Sequence, residues 1–538
     1  MTETTFVPAA VQSSDSLCLR RLVNGVIWPG FIGTTVPAWL RQALAEGLAG
    51  VVYFSHNFLP GTPGQPAGLS AAIRALNPLA VIGSDEEGGN VTRLQFRAGS
   101  DLPGAAVLGQ LDDVALTEAA GAAIGTMCKE AGVNLVIGPV ADVNTNPLNP
   151  VIGVRSFGAD TDLVSRHTAA MVRGIQSTGV GACAKHFPGH GDTVGDSHTS
   201  LPRLEMTLED VTGIHLPPFL AAVQAGAAAM MSAHIVIPEL GEAPATLNPA
   251  AGELLRRNGF AGLLITDALD MAAIKDTVGM GRGAVLSLLA GADLLCVGNP
   301  ANPYSSSSSN DAAHGAGAEG AGFSTGWEDY AEVFDALLAA AVDGTLPRPV
   351  LERAAGRVAA FAARSVQALT EQVQTAPVQT VPLAGDWVDA AMRACTWAGP
   401  GPVPRLPAGS TDIDVVDLRL GHNMAAGASG NFFAVALAEV LSVRTVTVQE
   451  LRDGIKRIKA GTWSGNPCVV LIDALRDPCQ RSPLADLAGL VPEAICINAG
   501  LADSYQPAGA GTPPPLPTIN CYGSSRVSAR AVVRLLMG

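Results

Sequence analysis

The chain has 538 residues, 48% of them hydrophobic, so it is long enough for two packed domains. Its net charge of −15 argues against binding nucleic acid or an anionic membrane surface, because both need basic patches. The nine cysteines show no CxxC or paired spacing, which excludes a disulfide framework and indicates a reducing compartment.

The first residues, MTETTFVPAA, lack the basic and apolar regions of a signal peptide. The most apolar long run, FLAAVQAGAAAMMSAHIVIP, is interrupted by Gln224 and His234 and predicts a helix followed by a strand, not a membrane span. We therefore expect a cytoplasmic location.

Short apolar runs recur along the first 300 residues, between longer Ala- and Leu-rich helical patterns. Eight of them predict strands: VIWPGF at 26, GVVYF at 50, LAVIGS at 79, NLVIGPV at 134, VGACA at 180, AMMSA at 229, GLLIT at 262 and ADLLCVG at 292. Their spacing is that of repeated βα units, and eight such units fit a (β/α)8 TIM-like barrel. The same alternation also permits an open doubly wound sheet.

The eighth predicted strand is followed by a tract rich in Ser, Gly and Ala. Residues 303–326 have too few apolar groups to pack and predict a flexible insertion. A helical pattern at 350–369 completes a catalytic domain over residues 1–369, and the polar stretch 370–383 predicts an interdomain linker.

A second, smaller α/β sandwich domain is predicted over residues 384–538. Its strand patterns are DIDVVDLRL, VRTVTV, CVVLIDAL, AICINAG and TINCYG, and it closes on the helical pattern SARAVVRLLMG. The glycine-rich GHNMAAGASGN, 421–431, matches neither a P-loop nor GxGxxG, which argues against a nucleotide site.

Polar residues collect directly after the predicted strands. They are Asp85, Glu86 and Glu87 after the third strand, Asp142 and Arg155 after the fourth, the stretch 183–200 after the fifth, His234 after the sixth and Asp267 after the seventh. Because functional groups of a barrel lie at the carboxyl ends of its strands, this pattern predicts a pocket at one rim.

Asp267 directly follows the apolar run GLLIT, so its carboxylate would project from a rigid strand. Such a carboxylate can attack an electrophilic carbon or stabilise a cation. The alternative is a helix N-cap, a position that Asp also suits.

The stretch CAKHFPGHGDTVGDSHTS, 183–200, holds three histidines and two aspartates. The two-residue spacing of Asp196 and His198 lets the carboxylate hold one imidazole nitrogen, which makes a tuned acid/base pair. Lys185 and His186 suit hydrogen bonds to substrate hydroxyls. Two alternatives stay open: a zinc site that uses the His186-x3-His190 spacing, and a glycine-rich loop whose polar residues have no function.

The run KHFPGHGDTVGDSH resembles the signature of the family 3 glycoside hydrolases in their β-N-acetylglucosaminidase branch. SDEEGGNVTRL, NPVIGVRSFG, SAHIVIP and TDALDM stand in the family's order, so the resemblance covers roughly residues 20–300. One departure is Asn90, where the family commonly has arginine, while the neighbouring Arg93 is retained.

The resemblance implies roles for individual residues. Asp267 matches the nucleophile that forms a covalent glycosyl intermediate with retention of configuration, and His198 matches the acid/base, with Asp196 as its partner. The matching substrate-binding positions are Asp85, Arg155, Lys185 and His186, with His234 in SAHIVIP. No metal or organic cofactor is implied. His190 and Asp192 receive no role beyond shaping the loop.

The expected function is that of a retaining exo-β-N-acetylglucosaminidase acting on small glycans, either cell-wall muropeptide fragments or chitooligosaccharides. A β-N-acetylglucosaminide phosphorylase with the same residues is the alternative, followed by a metal-dependent hydrolase and by a sugar-binding protein without catalysis. The expected partner is a small oligosaccharide, with no nucleic acid and no membrane, and the oligomeric state is open.

Overall fold

The computed structural model describes residues 14–194, 201–301, 325–374, 387–398, 402–419, 422–423, 427–428, 430–446, 466–474, 477–502 and 514–538. The strands of the first 301 residues are β1 (Ile27–Pro29), β2 (Gly50–Tyr53), β3 (Val81–Ser84), β4 (Glu86–Gly88), β5 (Val91–Thr92), β6 (Leu135–Val136), β7 (Gly181–Phe187), β8 (Ala229–Ser232), β9 (Leu263–Thr266) and β10 (Leu295–Gly298). The remaining strands are β11 (Thr396–Ala398), β12 (Asp412–Asp417), β13 (His422–Asn423), β14 (Gly427–Ala428), β15 (Ser442–Val446), β16 (Cys468–Ile472), β17 (Ile495–Asn498) and β18 (Thr518–Asn520).

Helices alternate with these strands. Before residue 375 they are Ser14–Asn24, Ala38–Ala45, Gln65–Leu76, Ala105–Leu111, Val114–Glu130, Thr161–Gln176, Leu208–Asp210, Pro217–Gln224, Pro249–Arg257, Ala272–Lys275, Met280–Leu289, Trp327–Asp343 and Arg348–Gln374. After it they are Trp387–Ala394, Phe432–Ala438, Pro478–Leu490 and Arg526–Met537. Single turns occur at Ser55–Asn57, Gly153–Arg155, Val211–His215 and Ala245–Leu247. No helix in the described ranges is both long and apolar enough to cross a membrane.

Eight parallel strands form a curled sheet, and they are the eight that the apolar runs predict. β2, β3, β6, β7, β8 and β9 pair in that order, and β1 pairs with β10. A parallel bridge between Ile265 and Leu294 joins β9 to β10. Ala49 lies just before β2, and Asn24 lies just before β1. The Ala49 N–H donates to the Asn24 carbonyl at 2.9 Å. The order follows the chain and lacks the reversal of a doubly wound sheet.

Trp28, on β1, fills the inside of this curled sheet. Its side chain is fully buried, and its Nε1–H donates to the Val81 carbonyl at 2.9 Å. The indole lies where a side chain on β3 would project, since a Cβ on Gly83 would meet it at 2.2 Å. Phe361 and Val358, from the long helix after β10, belong to the same buried cluster. The interior is therefore packed with side chains.

Asp293 anchors two helices at the opposite end of the sheet, where the strands begin. Its side chain is fully buried and accepts hydrogen bonds from Arg256 at 2.6 Å and from Arg357 at 3.0 Å. The Leu264 N–H donates to it at 3.0 Å, and the Arg353 Nε lies at 4.0 Å. Burial lowers the pKa of Arg256 and of Arg353, and Asp293 opposes that change.

Three features differ from the sequence expectations. A short antiparallel hairpin, β4–β5, follows β3 where only a polar loop is expected. The helix predicted to end at 369 continues to Gln374, because Glu and Gln favour helices and no proline occurs before Pro377. A three-residue edge strand, β11, pairs antiparallel with β18. The predicted insertion 303–326 lies almost wholly outside the described residues.

A second sheet forms after residue 395, with strand order β15-β12-β16-β17-β18-β11. All of its strands are parallel except β11. One face packs against Phe433 and Val532 from two helices, and the other against Leu484 and Leu487 from a third. This sheet therefore has helices and a buried core on both faces. Most of 421–431 lies outside the described residues.

We predict that Asp293→Asn lowers the free energy of unfolding by about 3 kcal/mol, because the guanidinium groups around it lose a buried carboxylate. Urea unfolding followed by circular dichroism measures the change. Glu352→Gln is the matched control, since it removes an exposed pair with Arg348 and should cost less than about 0.5 kcal/mol. A loss as small for Asp293→Asn as for the control contradicts the anchoring role.

Candidate active site

The sequence-predicted site residues that the structure describes all lie at the carboxyl ends of the curled sheet. Asp85 follows β3, Arg155 ends the single turn after β6, Lys185 and His186 lie in β7 near its end, His234 follows β8 and Asp267 follows β9. Asp196 and His198 lie outside the described residues. The rim predicted from the strand order therefore collects these polar groups.

Glu86 holds the β4–β5 hairpin in place. Its buried carboxylate accepts hydrogen bonds from the Thr92 hydroxyl at 2.5 Å, the Leu94 N–H at 2.8 Å, the Arg93 N–H at 2.9 Å and the Ser84 hydroxyl at 3.1 Å. Burial raises the pKa of Glu86 to about 7, although these donors oppose the rise. The central carboxyl group of the DEE run is thus structural.

The two carboxylates beside Glu86 join a buried ion network. The Lys185 ammonium contacts Asp85 at 2.7 Å and Glu87 at 2.6 Å. Arg155 donates to both oxygens of Glu87, at 2.9 and 2.8 Å, and Arg93 donates to Asp85 at 3.0 Å. Three separate segments, the hairpin, β7 and the turn after β6, meet in this network.

Burial and pairing together determine the charges of the network. Burial opposes ionisation of both carboxyl groups, but Lys185 and Arg93 hold the pKa of Asp85 well below its usual range. Arg155 and Lys185 likewise lower the pKa of Glu87 to about 2. In return, the carboxylates raise the pKa of Lys185 and of Arg155 against the effect of burial. The groups are therefore all charged at neutral pH.

Asp142 orients the histidine that follows Lys185. Its carboxylate receives the His186 Nδ1 at 2.7 Å and the His190 N–H at 2.7 Å. Burial opposes ionisation of Asp142, but His186 holds its pKa below the usual range. Burial lowers the pKa of His190 to about 4, so this imidazole is neutral at neutral pH, with Nδ1 2.7 Å from the Thr193 hydroxyl.

Residues after β6 hold the start of the loop that follows β7. The Thr145 hydroxyl donates to Asp192 at 2.7 Å, and the Asn146 amide donates to the Asp192 carbonyl at 3.2 Å. The Asn149 amide donates to the His190 carbonyl at 2.8 Å. His190 and Asp192, which the sequence leaves without a specific role, thereby fix the described start of the loop.

Asp267 is half-buried, and hydrogen bonds hold both its backbone and its side chain. Its N–H donates to the Ser232 carbonyl at 3.0 Å, and its Oδ1 accepts the Ala268 N–H at 2.8 Å. His234 is fully buried, with Nε2 2.9 Å from the Ala268 carbonyl and Nδ1 2.9 Å from the Thr246 hydroxyl. Protein groups thus engage both ring nitrogens, and His234 supports the backbone directly after Asp267.

Charges from the ion network and from Asp267 both act on the buried thiol of Cys183. Burial raises its pKa; the Lys185 cation opposes the rise, and the Asp85 and Asp267 carboxylates add to it. Asp267 also raises the pKa of His190, against the effect of burial. Asp267 therefore shares one electrostatic environment with the ion network and with His190.

The zinc alternative receives no support from the described part of the chain. Within it, no group of three or more His, Cys, Asp and Glu side chains is placed to hold a metal ion. The rings of His186 and His190 lie 6.0 Å apart and edge to face, and Asp142 engages one nitrogen of His186. Residues 195–200 lie outside the described part of the chain.

Two buried carboxylates at the rim, those of Glu87 and Asp142, receive no catalytic or substrate-binding role in the sequence analysis. Glu87 and Asp85 both follow β3, and Asp142 follows β6. Glu87 and Asp142 therefore stand after strand ends, as the predicted site residues do. What the sequence did not reveal is which of three consecutive carboxyl groups face Lys185. That depends on the turn of the hairpin.

The part of the chain that carries this rim matches a known protein family. The family model "Glycosyl hydrolase family 3 N terminal domain" matches residues 36–310. The chain belongs to glycosyl hydrolase family 3. It is a glycoside hydrolase, and the residues that carry the ion network and Asp267 all fall within the matched range.

Two curated relatives match about half of the chain, and one solved structure matches nearly all of it. A β-hexosaminidase of Stenotrophomonas maltophilia strain K279a is 36% identical over 282 residues, which are 50% of this chain and 82% of that protein. A β-hexosaminidase of Neisseria meningitidis serogroup C is 34% identical over 269 residues, 48% of this chain and 73% of that protein. A family 3 β-N-acetylglucosaminidase structure from Paenibacillus sp. FPU-7 is 28% identical, with a TM-score of 0.78 over 97% of this chain and 96% of that one.

We predict a pH-dependent stability difference between the wild type and Glu86→Gln. Between about pH 4.5 and 7 the unfolded glutamate has lost its proton while the folded one keeps it, so wild-type stability falls as the pH rises. Glutamine does not titrate. The melting temperature of Glu86→Gln should therefore rise relative to the wild type from pH 5 to pH 8, and a difference independent of pH contradicts the raised pKa.

Proposed function

We propose that this family 3 hydrolase is a retaining exo-β-N-acetylglucosaminidase that releases terminal, non-reducing β-linked N-acetylglucosamine from small glycans. The observation that carries the proposal is the buried ion network of Asp85, Glu87, Lys185 and Arg155, which lies at the same strand ends as Asp267. The names of the S. maltophilia and Paenibacillus relatives support this substrate class.

The proposed nucleophile is Asp267. Its carboxylate attacks the anomeric carbon, and the bond to the leaving oxygen breaks as His198 delivers a proton to that oxygen. In the second step His198 takes a proton from water, which attacks the glycosyl–aspartate ester and frees the sugar with its configuration retained. Asp196 holds the imidazole. The hydrogen bond from the Ala268 N–H supports this role for Asp267, because it fixes the carboxylate before attack.

The proposed sugar contacts are made by Asp85, Arg155, Lys185 and His186. Charged donors and acceptors that are already desolvated and mutually paired bind hydroxyl groups without large rearrangement. We group His234 with them as a residue that supports the site through Ala268. We propose specificity for a terminal sugar bound in a pocket at the rim, with muropeptide fragments or chitooligosaccharides in the cytoplasm as the substrates.

We also propose a domain organisation. The curled sheet would be a (β/α)8 barrel within a catalytic domain of residues 1–369, and residues 384–538 would form a second α/β domain. The hydrogen bond that brings the start of β2 to the start of β1 supports a closed barrel. The separate core of the second sheet supports a separate domain.

Asp267→Gly should lose activity on 4-nitrophenyl N-acetyl-β-D-glucosaminide by on the order of a thousandfold or more. Azide should restore nitrophenol release and give the α-glycosyl azide, because the anion enters the space of the lost carboxylate. Product configuration by NMR checks this. The control is Asp276→Ala, which replaces an exposed aspartate in the connection between β9 and β10 and should keep full activity. An Asp267→Gly variant with wild-type turnover eliminates the proposed nucleophile.

The acceptor is tested with a disaccharide of β-linked N-acetylglucosamine, with and without inorganic phosphate. We expect free N-acetylglucosamine in both reactions and no dependence on phosphate. N-acetylglucosamine 1-phosphate as the main product would replace hydrolysis by phosphorolysis with the same residues. Mass spectrometry of the products distinguishes the two reactions.

A further inference from the structure

A turn of the second sheet lies against the hairpin that carries the ion network. This turn, residues 521–526, directly follows β18. The Ser524 N–H donates to the Asn90 Oδ1 at 2.7 Å, and Arg526 is paired with Asp101. Directly after the turn, the Val527 N–H donates to a carbonyl of the loop after the hairpin, that of Ser100, at 3.1 Å. A backbone donor and a guanidinium thus connect the two sheets at one place.

Asn90 lies in the bend between β4 and β5, where the chain has little freedom to move. Gly88 and Gly89 have left-handed backbones, with φ of 76° and 57°. A Cβ on Gly89 would lie 2.6 Å from Gly104, so the bend is tightly packed against the following loop. Glu87 directly precedes these glycines. A displacement of Asn90 is therefore transmitted to the carboxylate that binds Lys185 and Arg155.

A second contact leads to the same network. A small cleft is lined by Tyr522 of the turn together with Glu87, Asn90 and Arg155. Tyr522 is buried and adopts a left-handed backbone, with φ of 53°, and its hydroxyl lies 2.8 Å from that of Thr396. The turn therefore presents a fixed side chain beside the Glu87–Arg155 pair.

We propose that the 521–526 turn positions the sugar-binding ion network and that Asn90 is the positioning residue through which it acts. The inference rests on the proposed function for its kinetic consequence. The second sheet thereby takes part in substrate binding without contacting the sugar.

The test compares Asn90→Ala with Asn90→Asp in the full chain. Loss of the acceptor should raise the KM for 4-nitrophenyl N-acetyl-β-D-glucosaminide about fivefold and leave kcat within about twofold, because the network is used in both ground and transition states. Asn90→Asp should restore the wild-type KM, since a carboxylate oxygen accepts the same N–H. Arg530→Ala should change neither constant, because it removes only an exposed pair with Glu439, which joins two helices that pack on the second sheet.

Amide hydrogen exchange separates this inference from the proposed function. In Asn90→Ala, exchange in residues 86–92 should accelerate relative to the wild type and to Arg530→Ala, whether or not the substrate is turned over. Unchanged exchange and an unchanged KM overturn the positioning role. If the wild type does not turn over the substrate but exchange is still accelerated in Asn90→Ala, only the proposed substrate is overturned.

Discussion

A lysine ammonium group held away from water is the constraint on which the rest of the rim depends. Lys185 is only 2% exposed, so its charge is stable only where carboxylates replace the lost hydration. Asp85 and Glu87 supply that replacement, and Arg155 balances the second carboxylate. The end of β7, the hairpin after β3 and the turn after β6 must therefore keep one fixed arrangement.

The DEE run shows how environment separates identical chemical groups. Asp85 and Glu87 face cations and stay ionised, whereas Glu86 faces hydroxyl and amide donors and has its pKa raised by burial. The hairpin makes this division possible, because it directs neighbouring side chains to different surroundings. The raised pKa of the middle carboxyl group also lowers the negative charge of this buried site near neutral pH.

The sequence was sufficient for features that depend on local pattern. Apolar β-branched runs identified all eight strands of the curled sheet, and strand ends located the rim residues. The sequence was insufficient where contacts between distant segments determine the local structure. The β4–β5 hairpin has too few residues for a strand pattern, and its bend depends on Gly88 and Gly89 against Gly104. The partner of Asn90 lies 434 positions away, beyond the reach of any local rule.

The pairing of His186 with Asp142 gives the rim a direction of hydrogen bonding. The ionised Asp142 carboxylate can only accept, so Nδ1 of His186 carries the hydrogen. The Asp85 and Glu87 carboxylates can likewise only accept. Lys185 and Arg155, by contrast, can only donate. A hydroxyl that bridges the two kinds of group must accept on one side and give its own hydrogen on the other. A fluorine or an ether oxygen of similar size has no hydrogen to give and cannot bridge the two kinds of group in this way.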